Sequence, residues 1–146
     1  MTVRTRELLS RDTLLNLLRL HDRLNAEFVD LFKGAGLTQA QYNVLRILSG
    51  APKKGVPCQY VGEHLLTRVP DVTRLIDRMV SAELVRRDRS EEDRRVVLLR
   101  VTARGRRVCA GLTEPVMALH RGQFTHMSRK ALAALNEGLE EALRGS

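Results

Sequence analysis

Aromatic residues are scarce in this sequence: Phe, Trp and Tyr together make up 3% of its 146 residues, and Trp is absent. Apolar residues nevertheless amount to 43% of the chain, so any core must be built mainly from aliphatic side chains. A chain of this length corresponds to about one domain, which can bury a core of its own. The shortage of aromatic residues argues against an aromatic-rich β fold and favours packed helices.

Cysteine and histidine are sparse as well. The two cysteines, Cys58 and Cys109, lie far apart and provide neither a disulfide framework nor the spacing of a metal site. The four histidines lack a metal-binding spacing such as i, i+4, and no cluster of acids accompanies them. A glycine-rich phosphate loop and the strained nucleophile turn of a hydrolase are also missing. We therefore expect no cofactor, no metal and no enzymatic activity.

Long apolar runs are missing too. No uninterrupted stretch reaches the roughly 18 apolar residues that a membrane-spanning helix needs. Residues 1–6 are polar rather than the apolar core of a signal peptide, and we expect them to form a loose start. The sequence thus predicts a soluble, cytoplasmic protein without a membrane partner.

Positive charge is what the sequence has in excess. Lys and Arg number 25 against 17 Asp and Glu, which gives a net charge of +8. This balance favours a polyanionic partner, because neutralised phosphates release their counterions. Charge alone would fit RNA or an anionic membrane equally well. The excess is concentrated in residues 86–107, where nine arginines face four acids.

A helix-turn-helix pattern occupies the middle of the chain. We predict a first helix over residues 58–66, a turn over 66–69, and a second helix from Pro70, whose missing N–H suits the first helical position. The apolar face of the second helix consists of Val72, Leu75, Ile76, Met79 and Val80. Its opposite face consists of Asp71, Thr73, Arg74, Asp77 and Arg78. Such a mixed charged face is as often a solvated surface as a binding surface.

A basic β-hairpin is predicted directly after this second helix. Residues 84–89 and 96–101 are β-rich, and the polar segment between them carries Arg94 and Arg95 at the predicted tip. A helix-turn-helix followed by a basic hairpin is the layout of a winged DNA-binding domain. Arginine on a protruding hairpin can reach a narrow minor groove, whose negative potential attracts it.

Amphipathic helices are predicted on both sides of this region. One over residues 11–33 is too apolar along one side to stand alone in water. Another, capped by Thr102, is expected to run to about His126 with a kink near Glu114, caused by Pro115. Ser128 caps a last helix, whose leucine stripe belongs either to the core or to a dimer seam, of which we favour the seam. The stripe consists of Leu132, Leu135, Leu139 and Leu143.

Residues 70–102 resemble the MarR family of winged helix-turn-helix transcriptional regulators. The resemblance rests on residues 70–79 (PDVTRLIDRM) as recognition helix and residues 84–87 (LVRR) as first wing strand. Residues 93–102 (DRRVVLLRVT) are similar to the family's D-x-R wing motif and its closing Leu/Val–Thr step. The likeness extends to residues 37–45 and, by helix order, to nearly the whole chain.

The resemblance implies a mainly α fold with a small β-wing. It assigns about residues 37–103 to a winged helix-turn-helix lobe, and about residues 8–34 and 104–144 to N- and C-terminal dimerisation helices. A homodimer would set two recognition helices into successive major grooves of a pseudo-palindromic operator, about 34 Å apart. The implied function is that of a sequence-specific regulator of double-stranded DNA, most simply a ligand-responsive repressor.

Candidate DNA contacts follow from position and from the resemblance. Arg74, near the start of the recognition helix, can reach a guanine edge with two parallel hydrogen bonds, worth roughly 1–3 kcal/mol of discrimination. Thr73 is a candidate for a phosphate or base contact. Pro70 occupies the family's position for apolar contact with a base, and Arg95 is the family's wing arginine, expected in the minor groove. Asp93 would brace the wing turn and orient Arg95, because a carboxylate facing phosphate is repelled.

Further basic residues are candidates for contacts with the DNA backbone. Arg68, Arg86 and Arg94 are expected to contact phosphates. Arg78 either contacts DNA or forms a structural ion pair with Asp77, Asp93 or another acid.

The effector is suggested only by the resemblance. Relatives often respond to small phenolic or lipophilic ligands bound between the dimer scaffold and the DNA-binding lobe, and Arg19, His21 and His120 are candidates to line such a pocket.

An alternative is a redox-sensing regulator that uses Cys58, where a helix N-terminus favours the thiolate. Redox-sensing relatives carry that cysteine in the N-terminal helix, however, so a half-buried packing role for Cys58 is favoured. A non-specific nucleic-acid-binding protein is the remaining alternative.

Overall fold

Helices dominate the structure, a computed structural model that describes residues 5–145. Two antiparallel strands form the only sheet found in that range. The elements in chain order are α1 Arg6–Gly34, α2 Gln39–Gly50, α3 Cys58–His64, α4 Val72–Ser81, β1 Val85–Arg89, β2 Val97–Val101, α5 Ala103–Gln123 and α6 Arg129–Arg144. The predicted mainly α fold with a winged helix-turn-helix is confirmed.

The first helix begins five residues earlier than predicted. Thr5 is its N-cap, and the Thr5 hydroxyl accepts a hydrogen bond from the backbone N–H of Leu8 at 3.4 Å. The loose start expected for residues 1–6 is therefore wrong for Thr5 and Arg6, and its first four residues lie outside the described part. At the other end, α1 ends at Gly34, one residue after the predicted end, and Gly36 follows with a φ of 73°.

The recognition helix α4 begins two residues later than predicted. Asp71 is the N-cap, and its carboxylate accepts the backbone N–H of Arg74 at 2.9 Å. Pro70 lies before this cap, so the prediction that it occupies the first helical position is wrong. The reason is that an aspartate side chain can satisfy a free N–H of the first turn, which proline cannot do. The preceding helix α3 ends at His64, two residues before its predicted end.

Both hairpin strands begin one residue later than predicted and end where predicted, and the hairpin has an additional pairing partner. Strands β1 and β2 pair antiparallel, with Val85 opposite Val101 and Arg87 opposite Leu99. Val56, in the loop before α3, also pairs with Leu99: the two residues exchange N–H···O bonds of 3.1 and 2.7 Å. Gly55 makes this approach possible, because a Cβ there would lie 2.8 Å from the Leu99 carbonyl oxygen.

The core lies in the middle of the chain. Of the helices at its two ends, α1 contributes only Phe32 to the buried residues and α6 contributes none. The buried side chains come mainly from α2, α4, the hairpin and the first part of α5, and they are Leu37, Tyr42, Val44, Leu45, Leu48, Val56, Val61, Ile76, Met79, Leu84, Val85, Leu99, Cys109, Leu112 and Val116.

The C-terminal helices have the predicted caps. The hydroxyl of Thr102 accepts the N–H of Gly105 at 2.9 Å, and that of Ser128 accepts the N–H of Ala131 at 3.1 Å. Helix α5 continues through Pro115 and ends at Gln123, three residues before the predicted end. None of the helices between residues 5 and 145 is long and apolar enough to cross a membrane.

Candidate nucleic-acid interface

The recognition helix presents a polar face next to a firmly packed apolar one. Ile76 and Met79 are fully buried and hold α4 against the core. Thr73, Arg74 and Arg78 are exposed on the other side, where residues three and four apart lie on one helix face. Arg74 is in the first turn, close to the exposed end of the helix. Its position permits the contact with a base edge that the sequence predicted.

The wing tip is held by a compact set of hydrogen bonds. The hydroxyl of Ser90 accepts the backbone N–H groups of Glu92 and Asp93, at 3.2 and 3.4 Å. The carboxylate of Asp93 accepts the backbone N–H of Arg95 at 3.0 Å. Arg94 and Arg95 are exposed at this tip. The geometry is the one expected if Asp93 braces the turn, although its role toward DNA stays a prediction.

Asp77 is paired with the wing rather than with its neighbour in sequence. The guanidinium of Arg87, on β1, donates to the carboxylate of Asp77 at 2.5 Å. Among residues 5–145, no ion pair of Arg78 is found, so the ion pair considered for Arg78 is not supported. Asp93, the other acid considered for it, accepts the backbone N–H of Arg95 instead.

Arg86 lies at the base of the wing, where it forms an ion pair. Its guanidinium forms an ion pair with Asp88 at 2.9 Å, and Arg100 approaches the same carboxylate at 3.5 Å. Arg100 also donates through Nε to the backbone oxygen of Lys53 at 2.7 Å. In the sequence, Arg100 counted only toward the positive charge of residues 86–107, and its structural contacts were not predicted. The strand register, which sets Arg86 opposite Arg100, is the signal that would have found this cluster.

The seven side chains predicted to contact DNA are all exposed. Pro70 and Arg68 lie in the connection between α3 and α4, next to the recognition helix. Arg86 differs from the others, because it lies at the wing base and pairs with an acid. The remaining members of the set are Thr73, Arg74, Arg94 and Arg95.

A cavity of about 150 Å³ lies between the long helices and the helix-turn-helix. His120 lines it and lies against Phe28, with ring centroids 5.3 Å apart. Arg19 and His21 are exposed on α1 and do not line it, so the structure brings only one of the three predicted pocket residues to this cavity. The complete lining is Phe28, Phe32, Gln39, Ala40, Tyr42, Asn43, Arg46, Leu65, Leu66, Thr67, Val116 and His120.

The cavity borders the segment that leads into the recognition helix. The side-chain oxygen of Asn43, on α2, accepts the backbone N–H of Leu66 at 2.9 Å. Both residues line the cavity. Burial raises the pKa of Tyr42 above its ordinary value, so this phenol stays neutral in the cavity wall at physiological pH. Sequence reasoning overlooked Asn43, because its hydrogen-bond partner lies beyond the next loop.

The two cysteines are free thiols in different surroundings. Cys58 is the first residue of α3 and is half-buried, as predicted, whereas Cys109 is buried in α5 against the core.

A family sequence model and solved structures both match this chain, and they agree on the family. Residues 35–96 match the sequence model of the MarR family. A MarR transcription factor from Planctomyces limnophilus is 35% identical, with 89% of this chain and 94% of that chain covered and a TM-score of 0.69. The transcriptional repressor CouR, bound to a 23-mer DNA duplex, is 26% identical over 98% of this chain and 99% of its own, with a TM-score of 0.78.

A third match shares the fold alone. BpsR from Bordetella bronchiseptica, whose DNA binding is regulated by 6-hydroxynicotinic acid, is 21% identical; the alignment covers 90% of this chain and 98% of that one, with a TM-score of 0.75. No curated protein matches the sequence.

Proposed function

The chain belongs to the MarR family of transcription regulators, and from that premise we propose that it is a homodimeric, ligand-responsive repressor that binds a specific sequence of double-stranded DNA. The observation that carries the proposal is the exposed polar face of α4 beside a braced wing tip with two exposed arginines. A regulator of this kind acts by occupying its operator and has no catalytic step.

In the proposed complex, α4 enters the major groove and the wing reaches the minor groove. Arg74 reads a guanine edge, and Pro70 and Thr73 contact the bases or phosphates beside it. Arg95 enters the minor groove, where the narrow walls concentrate negative potential. Arg68 and Arg94 neutralise phosphates. Arg86 is the weakest candidate of the set, because Asp88 already compensates its charge.

The proposed dimer interface uses the surfaces that one chain leaves uncovered. The winged helix-turn-helix lobe spans about residues 37–103, and the dimerisation lobe combines about residues 8–34 and 104–144. Leu14 and Leu18 on α1 are each 58% exposed, and α6 has no buried residue. Contiguous apolar surface on a protein usually marks an interaction site. A twofold axis through these helices would present two α4 helices to successive major grooves.

The proposed effector is a small phenolic or lipophilic molecule that binds in the cavity beside Asn43. The apolar walls would hold its rings, and Arg46 and His120 would face its polar groups. A molecule that competes for Asn43 would change how the segment before α4 is held. It alters DNA affinity only if it binds the two arrangements with different affinity. The regulation of BpsR by 6-hydroxynicotinic acid makes that compound a reasonable first probe.

The test of DNA binding starts from duplexes selected by the protein from a randomised library. We expect a pseudo-palindromic consensus, and a fluorescence-anisotropy titration at two salt concentrations should show preference for it over a scrambled duplex. Arg74→Ala should lower affinity for the consensus about 5- to 150-fold and relax the preference for one base, since a bidentate contact is worth 1–3 kcal/mol. Arg6→Ala, which removes an equal charge from an exposed position outside both lobes, is the matched control.

Two outcomes would contradict the proposal. If no consensus emerges, and unrelated duplexes bind equally with a steep salt dependence, the protein is a non-specific nucleic-acid binder. If Arg6→Ala weakens binding as much as Arg74→Ala does, only the overall charge matters.

The effector is tested separately, with 6-hydroxynicotinic acid and related small aromatic acids titrated into the complex with the consensus duplex. We expect at least one of them to release DNA, and Asn43→Ala to reduce that response. Failure of the whole series would remove the ligand-responsive part and leave the DNA-binding part intact.

A further inference from the structure

Two arginines of β1 form contacts within the protein, although the sequence counts them only in the positive charge of residues 86–107. Side chains alternate along a strand, so Val85, Arg87 and Arg89 share one face of β1, and Val85 is buried in the core. Arg87 donates to Asp77 on α4 at 2.5 Å. Arg89 donates through Nη1 to the backbone oxygen of Arg94 at 2.9 Å. Both guanidinium groups therefore hold other parts of the winged helix.

These contacts form a continuous connection from the recognition helix to the wing tip. Asp77 lies one helical turn beyond Arg74 and holds Arg87 at the middle of β1. Two residues further along the same strand face, Arg89 holds the tip at Arg94. The next residue, Arg95, is fixed through its backbone N–H by Asp93. The backbone positions of Arg74 and Arg95, the residues proposed for the major and the minor groove, are thereby connected through α4, β1 and these three contacts.

We propose that Asp77 is a positioning residue for DNA binding: through Arg87 it fixes the wing relative to α4, so that Arg74 and Arg95 reach their grooves together. We call the contacts of Asp77 with Arg87 and of Arg89 with Arg94 the brace. In this proposal, Arg87 and Arg89 act within the brace and do not contact phosphate. The inference rests on the proposed DNA-binding function and adds to it an acidic residue that DNA binding needs.

The sign of one substitution separates this role from plain electrostatics. Asp77 is a negative charge on the face of α4 that carries Arg74, so long-range repulsion alone predicts that removing it strengthens DNA binding. Loss of the brace predicts the opposite. The side chains of Arg87 and Asp77 are 36% and 55% exposed, and ion pairs in such surroundings are worth about 0.2–1 kcal/mol. A correspondingly moderate loss of affinity is expected.

The experiment compares Asp77→Asn with Glu91→Gln on the consensus duplex selected by the wild-type protein. Glu91 is an exposed acid near the wing tip, so the control removes the same charge from the same lobe. We expect Asp77→Asn to weaken binding about two- to fivefold and Glu91→Gln to leave it unchanged or stronger. Asp77→Asn that binds as tightly as the wild type, or more tightly, overturns the inference.

Two further measurements separate positioning from a local structural effect. Arg95→Ala should cost less affinity in the Asp77→Asn background than in the wild type, because the wing is no longer held in register; equal costs would contradict the brace. Arg87→Gln should weaken binding without changing its salt dependence. A salt-dependence slope lower by about 0.9 for each protomer on the DNA would make Arg87 a phosphate contact instead. Unchanged melting temperatures establish that the variants are folded.

Failure of this inference can be told apart from failure of the proposed function. If the wild-type protein selects no consensus, the proposed function itself fails. If it selects one and Asp77→Asn behaves like Glu91→Gln, the DNA-binding proposal stands and only the positioning role is lost.

Discussion

Leu45 on α2 and Leu14 on α1 both belong to amphipathic helices, yet Leu45 is fully buried and Leu14 is 58% exposed. The difference applies to whole regions of the molecule. From α2 to the first part of α5, the helices and the hairpin bury their apolar faces against one another, whereas most of α1 and all of α6 do not. An amphipathic pattern thus indicates that one face of a helix packs against other apolar residues. It does not indicate whether those residues belong to the same chain or to a second one.

The largest expected effect comes from charging the uncovered face of α6. Leu135→Glu combined with Leu139→Glu places two carboxylates within the proposed seam, so sedimentation should show a monomer. Affinity for the consensus duplex should fall about 100-fold or more, since two linked binding modules gain a factor of 10² to 10⁴ over one. Ala134→Glu, on the opposite side of the helix, should change neither property. A charged variant that remains a dimer would locate the interface elsewhere.

A smaller effect is expected from removing side-chain volume in the covered region. Leu45→Ala should lower the free energy of unfolding by about 2–5 kcal/mol, because it leaves a cavity in a packed core. Denaturant titrations should give nearly the same loss at low and high protein concentration if that loss arises within one chain. Leu14→Ala should show a loss that depends on concentration, since its cover is proposed to come from a partner. Similar behaviour of the two variants would contradict the division into two regions.

A pair of glycines in α5 tests the boundary between the regions. A Cβ at Gly105 would lie 2.2 Å from the backbone oxygen of Leu84, whereas one at Gly111 would meet nothing within 4 Å. Gly105→Ala should therefore cost about 1–3 kcal/mol of unfolding free energy through overpacking. Gly111→Ala should gain about 0.5–1 kcal/mol, because alanine loses less conformational entropy in a helix. The melting temperature should fall in Gly105→Ala and rise in Gly111→Ala. Changes in the same direction would contradict the packing described for α5.

The smallest loss of stability is expected at the first turn of α2. Thr38 and Gln41 form a capping box, in which each side chain accepts a hydrogen bond from the other residue's backbone N–H, at 3.2 and 2.9 Å. Thr38→Ala should lower the unfolding free energy by about 1 kcal/mol. Thr38→Ser keeps the acceptor and should restore most of it, as measured by urea denaturation. Equal losses in the two variants would attribute the effect to the methyl group instead.

The sequence was most informative where structure depends on nearby residues. The change from three- and four-residue spacing in α4 to the β-rich runs of the wing predicted both elements, and capping residues such as Thr102 and Ser128 marked helix starts correctly. The error at the start of α4 was also local. Pro70 and Asp71 both suit a helix start, and propensity alone did not decide which of them the first turn uses.

Contacts between distant segments were out of reach. The pairing of Asp77 with Arg87, and that of Asn43 with Leu66, depends on how α4 meets β1 and how α2 meets the following turn. Neither periodicity nor charge counting contains that geometry. For the same reason the sequence grouped Arg19 and His21 with His120, although only His120 lines the cavity beside the helix-turn-helix. Positions on a long helix do not reveal which part of it faces that cavity.

The reciprocal bonds between Val56 and Leu99 tie the loop before α3 to the second wing strand. To free either backbone, the helix-turn-helix and the wing must come apart, so this lobe should open as one cooperative unit. In a hydrogen–deuterium exchange experiment, the amide protons of Val56 and Leu99 should therefore exchange at a common slow rate, set by that opening. A lobe joined in this way should move as one rigid unit. An effector of the proposed kind would then displace Arg74 and Arg95, the two arginines proposed to contact bases, at the same time.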